Sequence, residues 1–137
     1  MTSKITYLGD FKINSVHEKS GEEIITCAPK REGGTSEYFS PSDLFGISLG
    51  QSMLMAIAVL GEPKGIDITG AVCDLKKSTY PDPKRIGTIF CIIRFPKQYS
   101  DEEKKFIEDT ARNCPVALSI SPNVQQTVIF EYGAELK

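Results

Sequence analysis

Histidine is nearly missing from this chain: His17 is the only one among 137 residues. That removes most metal sites built on imidazole. The four cysteines do not make up the loss, because Cys27, Cys73, Cys91 and Cys114 stand far apart and none forms a C-x-x-C pair. No metal site is expected. Charge of one sign is lacking too, with 16 Lys and Arg against 18 Asp and Glu and no basic run longer than two. Such a surface has no electrostatic grip on nucleic acid or anionic lipid, so neither is an expected partner. A Gly-rich phosphate loop is absent, and no nucleotide, flavin or other cofactor is expected. The opening residues, MTSKITYLGDF, lack the apolar centre of a secretion signal. The expected location is therefore cytoplasmic, where the cysteines stay as free thiols.

What is present reads as a single domain over residues 1–137. The N-terminal third carries three strand-like stretches, KITYLG, FKINSVHE and, after a KSGE turn, EIITCAP. A polar, Gly-rich loop over residues 30–39 leads into a long helix from Ser40 to Gly61, which Gly61, Pro63 and Gly65 close. Two strands are expected over 66–80 and 86–95, joined by PDPK. In the first, Ala71, Cys73 and Leu75 alternate with Val72, Asp74 and Lys76. In the second, Ile89, Cys91 and Ile93 share one face and Phe90 and Ile92 the other, as in a central strand covered on both sides. The next helix starts on an S-x-x-E capping box, Ser100 to Glu103, with Phe106, Ile107, Thr110, Ala111 and Cys114 on its inner face and Pro115 at its end. A last strand, VQQTVIFEY, completes the order β-β-β-α-β-β-α-β, an α+β fold with antiparallel strands.

The long helix is unusual. From Leu44 to Leu60 no residue is charged. A helix apolar all round either spans a membrane or is buried on every side. This stretch lies at the short end of the ~20 residues that a span needs. It also contains Ser and Gly positions and Gln51, and its flanks are amphipathic strands. The buried reading is preferred, but one small sheet covers only one side of a helix. A second copy of the chain would cover the other, with Gly46 and Gly50, or Ser48, Ser52 and Ala56, as tracks for close helix contact. A homodimer centred on this helix is the expectation.

Several stretches, in order, carry a resemblance: SPSDLFGISLG, PKRI at residues 83–86, and CPVALSIS at 114–121. Together they resemble the OsmC/Ohr family of thiol-dependent hydroperoxide reductases along nearly the whole chain. The resemblance implies an intertwined homodimer with two long helices packed at its centre. It also implies a two-cysteine chemistry. A peroxidatic thiolate in the long helix attacks the peroxide O–O bond and becomes a sulfenic acid, and a resolving cysteine condenses with it to a disulfide.

Carried over residue by residue, the resolving position is Cys114, the acid near the helix start is Asp43, and the peroxidatic position is Ser52, preceded by Gln51 where a small residue is usual. Arg31 and Arg85 are the arginines that could line the site. Each has a plainer role as well: Ser52 as a small contact residue, Asp43 at the third helical position, Cys114 as an inert buried thiol, and the arginines as solvated charges. Cys73 and Cys91 read as core. Cys27, at a strand end, is expected to be the more exposed thiol.

Two functions follow. The first is a homodimer associated with oxidative stress that has lost or reduced two-cysteine turnover and keeps an apolar cleft for a small apolar or hydroperoxide ligand. The alternative is a hydroperoxide reductase working through Cys114 or Cys27 with an external thiol reductant.

Overall fold

Alternation of apolar and polar residues sets the first sheet. The computed structural model describes residues 1–133 and divides into two units, Met1–Phe45 and the chain from Gly46 onward. In the first unit, β1 (Ser3–Gly9), β2 (Lys12–His17) and β3 (Glu23–Cys27) form an antiparallel sheet in the order β1-β2-β3. Tyr7 faces Ile13, Ile5 faces Ser15, and Ser15 faces Ile24, so these residues share one face of the sheet. That face is open: Ile5, Tyr7 and Ile24 are each more than half exposed.

The helix α1 (Pro41–Gly61) begins in the first unit and continues into the second. At its start Ser40 and Asp43 cap each other. The Asp43 backbone N–H donates to Ser40 Oγ at 3.1 Å, and the Ser40 N–H donates to the Asp43 carboxylate at 2.9 Å.

In the second unit β4 (Val72–Pro81), β5 (Lys84–Phe95) and β6 (Gln125–Tyr132) form a sheet in the order β4-β5-β6. Between β5 and β6 the chain passes through α2 (Asp101–Arg112) and a short α3 (Pro115–Ser119). β5 is the central strand. Its inner residues Ile89, Cys91, Ile93 and Phe95 have no solvent exposure, whereas Phe90 and Ile92 on the outer face are only half-buried. Full cover therefore reaches one face of β5, not both.

The α+β order is as the sequence implies, with three differences. First, β6 runs parallel to β5, so the second sheet is mixed rather than antiparallel. The crossover through α2 and α3 is long enough to return the chain to the starting end of β5, which a parallel pairing requires. Second, residues 66–71 are not strand. Asp67 accepts hydrogen bonds from the Thr69 N–H and hydroxyl, Gly70 adopts a φ of +90°, and β4 begins only at Val72. Third, α2 stops at Arg112 and Cys114 begins α3 instead of lying on α2, although its thiol is buried as expected.

Within the second unit α1 buries a single stripe, Gly46, Leu49, Gly50, Met53, Ile57 and Gly61. It joins Ile107 and Ala111 of α2 and the inner face of β5 in one core cluster. Gly46 and Gly50 press on β4: a Cβ on Gly46 would stand 3.3 Å from Leu75, and one on Gly50 would stand 3.1 Å from the Cys73 sulfur. That track is taken by the protein's own sheet, not by another helix. The opposite stripe is bare. Met55 is 65% exposed, Val59 59% and Leu60 57%. By length and composition alone α1 could cross a membrane, and only 33% of its most apolar window is buried.

Candidate functional site

Ser52 lies half-buried in the middle of α1. Its hydroxyl oxygen accepts a hydrogen bond from the Val116 N–H at 3.4 Å. Val116 is the second residue of α3, and Cys114, the residue that caps α3, makes no side-chain capping bond. Ser52 thus does from another helix what a Ser or Asp cap does locally: it satisfies a free N–H of the first turn. This contact brings Ser52 to the turn that carries Cys114, which is 1% exposed. Ser52→Ala leaves that N–H without its partner. A loss of about 0.5–1 kcal/mol in urea unfolding is expected, the low end for a cap because the bond is long. Unchanged stability would show that the hydroxyl holds nothing.

Gln51, the preceding residue, points away from the core and is exposed. It lines a shallow cleft of about 350 Å³ with Leu54, Met55, Ala58, Ile68 and Ala71. Gln51 is the one polar side chain there with hydrogen-bonding capacity, set among aliphatic carbons. Ser52 is not part of this lining. The cleft therefore lies on the bare stripe of α1, one residue round the helix from the hydroxyl.

Arg85 sits at the β4–β5 hairpin, next to the cis Asp82–Pro83 bond. Its guanidinium donates to the Ile86 and Asn123 carbonyls and lies over the Tyr80 ring at 5.0 Å. These contacts pin the hairpin to the loop before β6. They account for the arginine structurally.

In the first unit, Asp43 is engaged in the cap described above, and Arg31 is exposed on a short 3-10 turn, Lys30–Glu32. Cys27, expected to be the exposed thiol, is 3% exposed. The loop after β3 folds back over it. The Tyr38 N–H and the Thr35 hydroxyl donate to its sulfur at 3.4 and 3.8 Å, and the Cys27 N–H donates to the Phe39 carbonyl. His17 ends β2 and hydrogen-bonds Ser20 at 2.6 Å. Among the described residues no cluster of three or more His, Cys, Asp or Glu side chains could hold a metal ion.

One pairing was not legible as a site from sequence. Cys73 on β4 and Cys91 on β5 occupy diagonal positions on the inner face of the second sheet. The neighbouring Cys91 thiol holds the Cys73 thiol below the usual range, while Cys91, with no solvent exposure, is pushed up by Cys73 and by burial. The signal was in the alternation, which gave both cysteines to one face. The register that makes them neighbours was not readable.

Comparison with known proteins places this geometry in context. A family profile described as OsmC-like protein matches residues 34–128. A crystal structure from Psychrobacter arcticus 273-4, provisionally described as an osmotic stress induced and detoxification response protein, has 39% identity and a TM-score of 0.92 over 96% of each chain. An organic hydroperoxide resistance protein OsmC from Legionella pneumophila superposes with a TM-score of 0.75 at 15% identity, covering 96% of this chain and 97% of that one. The organic hydroperoxide resistance protein OhrB of Bacillus subtilis gives 0.66 at 16% identity, covering 96% and 98%. No curated protein matches. The profile match and the 39% identical structure together establish that this chain belongs to the OsmC-like family.

Proposed function

We propose that this chain is an OsmC/Ohr-type homodimer in which Ser52 stands at the peroxidatic position and two-cysteine hydroperoxide turnover is lost or strongly reduced. The observation that carries this reading is the Ser52–Val116 contact. It sets residue 52 against the turn that bears the buried Cys114, the pair of positions that the family resemblance gives to the peroxidatic and resolving sulfurs.

Oxygen cannot stand in for sulfur there. A serine hydroxyl is un-ionised near neutral pH, whereas a thiol of pKa ~8.5 is lowered to a thiolate by ordinary surroundings. Oxygen also has no reversible sulfenic step. The remaining candidate thiols of the alternative reading, Cys114 and Cys27, are 1% and 3% exposed, which disfavours direct attack on a peroxide. The described titratable groups offer no base for Ser52 as an acyl nucleophile, since the only histidine closes β2 in a bond to Ser20.

The bare stripe of α1 and, separately, the open apolar face of the first sheet support a second copy as partner. The cleft beside Gln51 supports a small apolar or hydroperoxide ligand held by dispersion and one amide. The family match takes in residues 34–128, and the 39% identical structure covers 96% of the chain and so includes strands of both units, which supports one OsmC-like domain. A cytoplasmic location goes with the free thiols.

The test is consumption of cumene hydroperoxide with dithiothreitol as reductant. Wild type is expected to run at the rate of reductant alone. Rapid consumption abolished by Cys114→Ser would overturn the reading in favour of a one-cysteine enzyme.

A further inference from the structure

We infer that residues 28–39 form a strap closed over the Cys27 thiol, with the Lys12–Glu37 ion pair as its latch.

The strap is folded largely on itself. The Glu32 and Gly34 N–H groups donate to the Pro29 carbonyl at 2.9 and 3.0 Å, and the Gly33 N–H donates to the Lys30 carbonyl at 3.0 Å. The Ser36 hydroxyl accepts from the Lys30 N–H at 2.8 Å, and Ser36 itself is held in the left-handed region at a φ of +58°. Bonds within the strap travel with it when it moves.

Its backbone ties to the sheet lie at its two ends. The Ala28 N–H donates to the Phe11 carbonyl at 3.0 Å, and the Cys27 N–H donates to the Phe39 carbonyl at 3.1 Å. Between these ends the Phe11 ring lies against Gly33. The Tyr38 N–H and the Thr35 hydroxyl reach the Cys27 sulfur at 3.4 and 3.8 Å, bonds that are long and weak.

Lys12 spans that gap. It stands opposite Cys27 in the β2–β3 register, so its side chain rises from the same face beside the thiol. Its ammonium meets the Glu37 carboxylate at 2.8 Å and lies 5.9 Å from the centre of the Tyr38 ring. Lys12 thus grips the stretch of strap that covers the sulfur. Its side chain is 34% exposed and that of Glu37 47%, so the latch is weak and answers to salt. A cover held this way opens locally, with the sheet beneath it intact, and Cys27 is the group it uncovers. The inference uses neither Ser52 nor Cys114, and so stands or falls apart from the proposed function.

The experiment is timed alkylation of the folded chain with iodoacetamide, read cysteine by cysteine through peptide mapping. Cys27 is expected to react faster than Cys91 and Cys114, which are 0% and 1% exposed and report unfolding of the second unit. Glu37→Gln is expected to speed labelling of Cys27 roughly two- to threefold. Lys12→Ala, which also removes the ring contact, is expected to speed it about fivefold, with Cys91 and Cys114 unchanged. Salt at about 1 M, where charges are screened beyond ~3 Å, should bring wild type toward the Glu37→Gln rate and leave that variant nearly unmoved. Urea below the unfolding transition should hardly change the Cys27 rate, because opening the strap exposes little surface. Labelling of Cys27 no faster than Cys114, equal rates in wild type and both variants, an equal salt response in wild type and Glu37→Gln, or a rate that climbs with urea as steeply as unfolding would each overturn the assignment.

Discussion

Ser52→Cys is expected to raise hydroperoxide consumption on the order of a hundredfold over wild type, the scale on which one well-placed reacting group contributes. The new sulfur would take the position of Ser52 Oγ and meet the same Val116 N–H. A donor to the charged form lowers a thiol pKa, so the thiolate fraction at neutral pH rises. Cys114 lies two residues before that N–H in sequence and is buried at the same turn, where it can condense with a sulfenic acid and close the cycle. Adding Cys114→Ser to Ser52→Cys should leave one oxidation per chain and halt turnover. If Ser52→Cys consumes peroxide no faster than wild type, the surroundings of residue 52 have diverged along with it, and the inherited chemistry cannot be restored by one atom.

Phe95→Ala is expected to cost about 3–5 kcal/mol. Phe95 has no solvent exposure and is the largest fully buried side chain. Its ring stacks on Tyr132 at 5.1 Å and Phe130 at 6.5 Å and meets Tyr99 edge-on at 6.0 Å. Tyr132 and Tyr99 are tied in turn to Glu108 and the Asp67 carbonyl. Those bonds fix the neighbouring rings, so the space left by Phe95 cannot readily collapse, which puts the cost in the upper range. Thermal unfolding should move down by roughly 10–15 °C. Ile129→Ala, on the outer face of the same sheet and 43% exposed, is the comparison and should cost under about 1 kcal/mol. Equal effects at the two positions would mean that the core does not centre on the inner face of β5.

Much of the fold could be read from local chemistry. The Ser100–Glu103 capping box has both its bonds, at 3.1 and 3.0 Å. The alternation through Ile89, Cys91 and Ile93 picked out the buried face. What escaped the reading was set by partners distant in sequence. The parallel entry of β6 leaves no mark on the periodicity of its own residues, although the strand–helix–strand order carried the hint. Cys27 is buried because Thr35 and Tyr38 fold back onto its sulfur, a closure that strand-end position cannot announce. Gly46 and Gly50 were legible as a place of close approach, but not as the place where β4 approaches. At the candidate site, the family resemblance pointed to Ser52 and Cys114, while the Val116 N–H that meets the Ser52 hydroxyl belongs to the backbone and has no signature in sequence.

The claim beneath the rest is that the bare stripe of α1 meets its like in a second chain. Sedimentation equilibrium at low micromolar concentration tests it most directly. The expected result is a species of twice 15.1 kDa, converted to monomer by Met55→Asp, which sets a charge in that stripe. A wild-type chain that sediments as a stable monomer, unchanged by Met55→Asp, would contradict it.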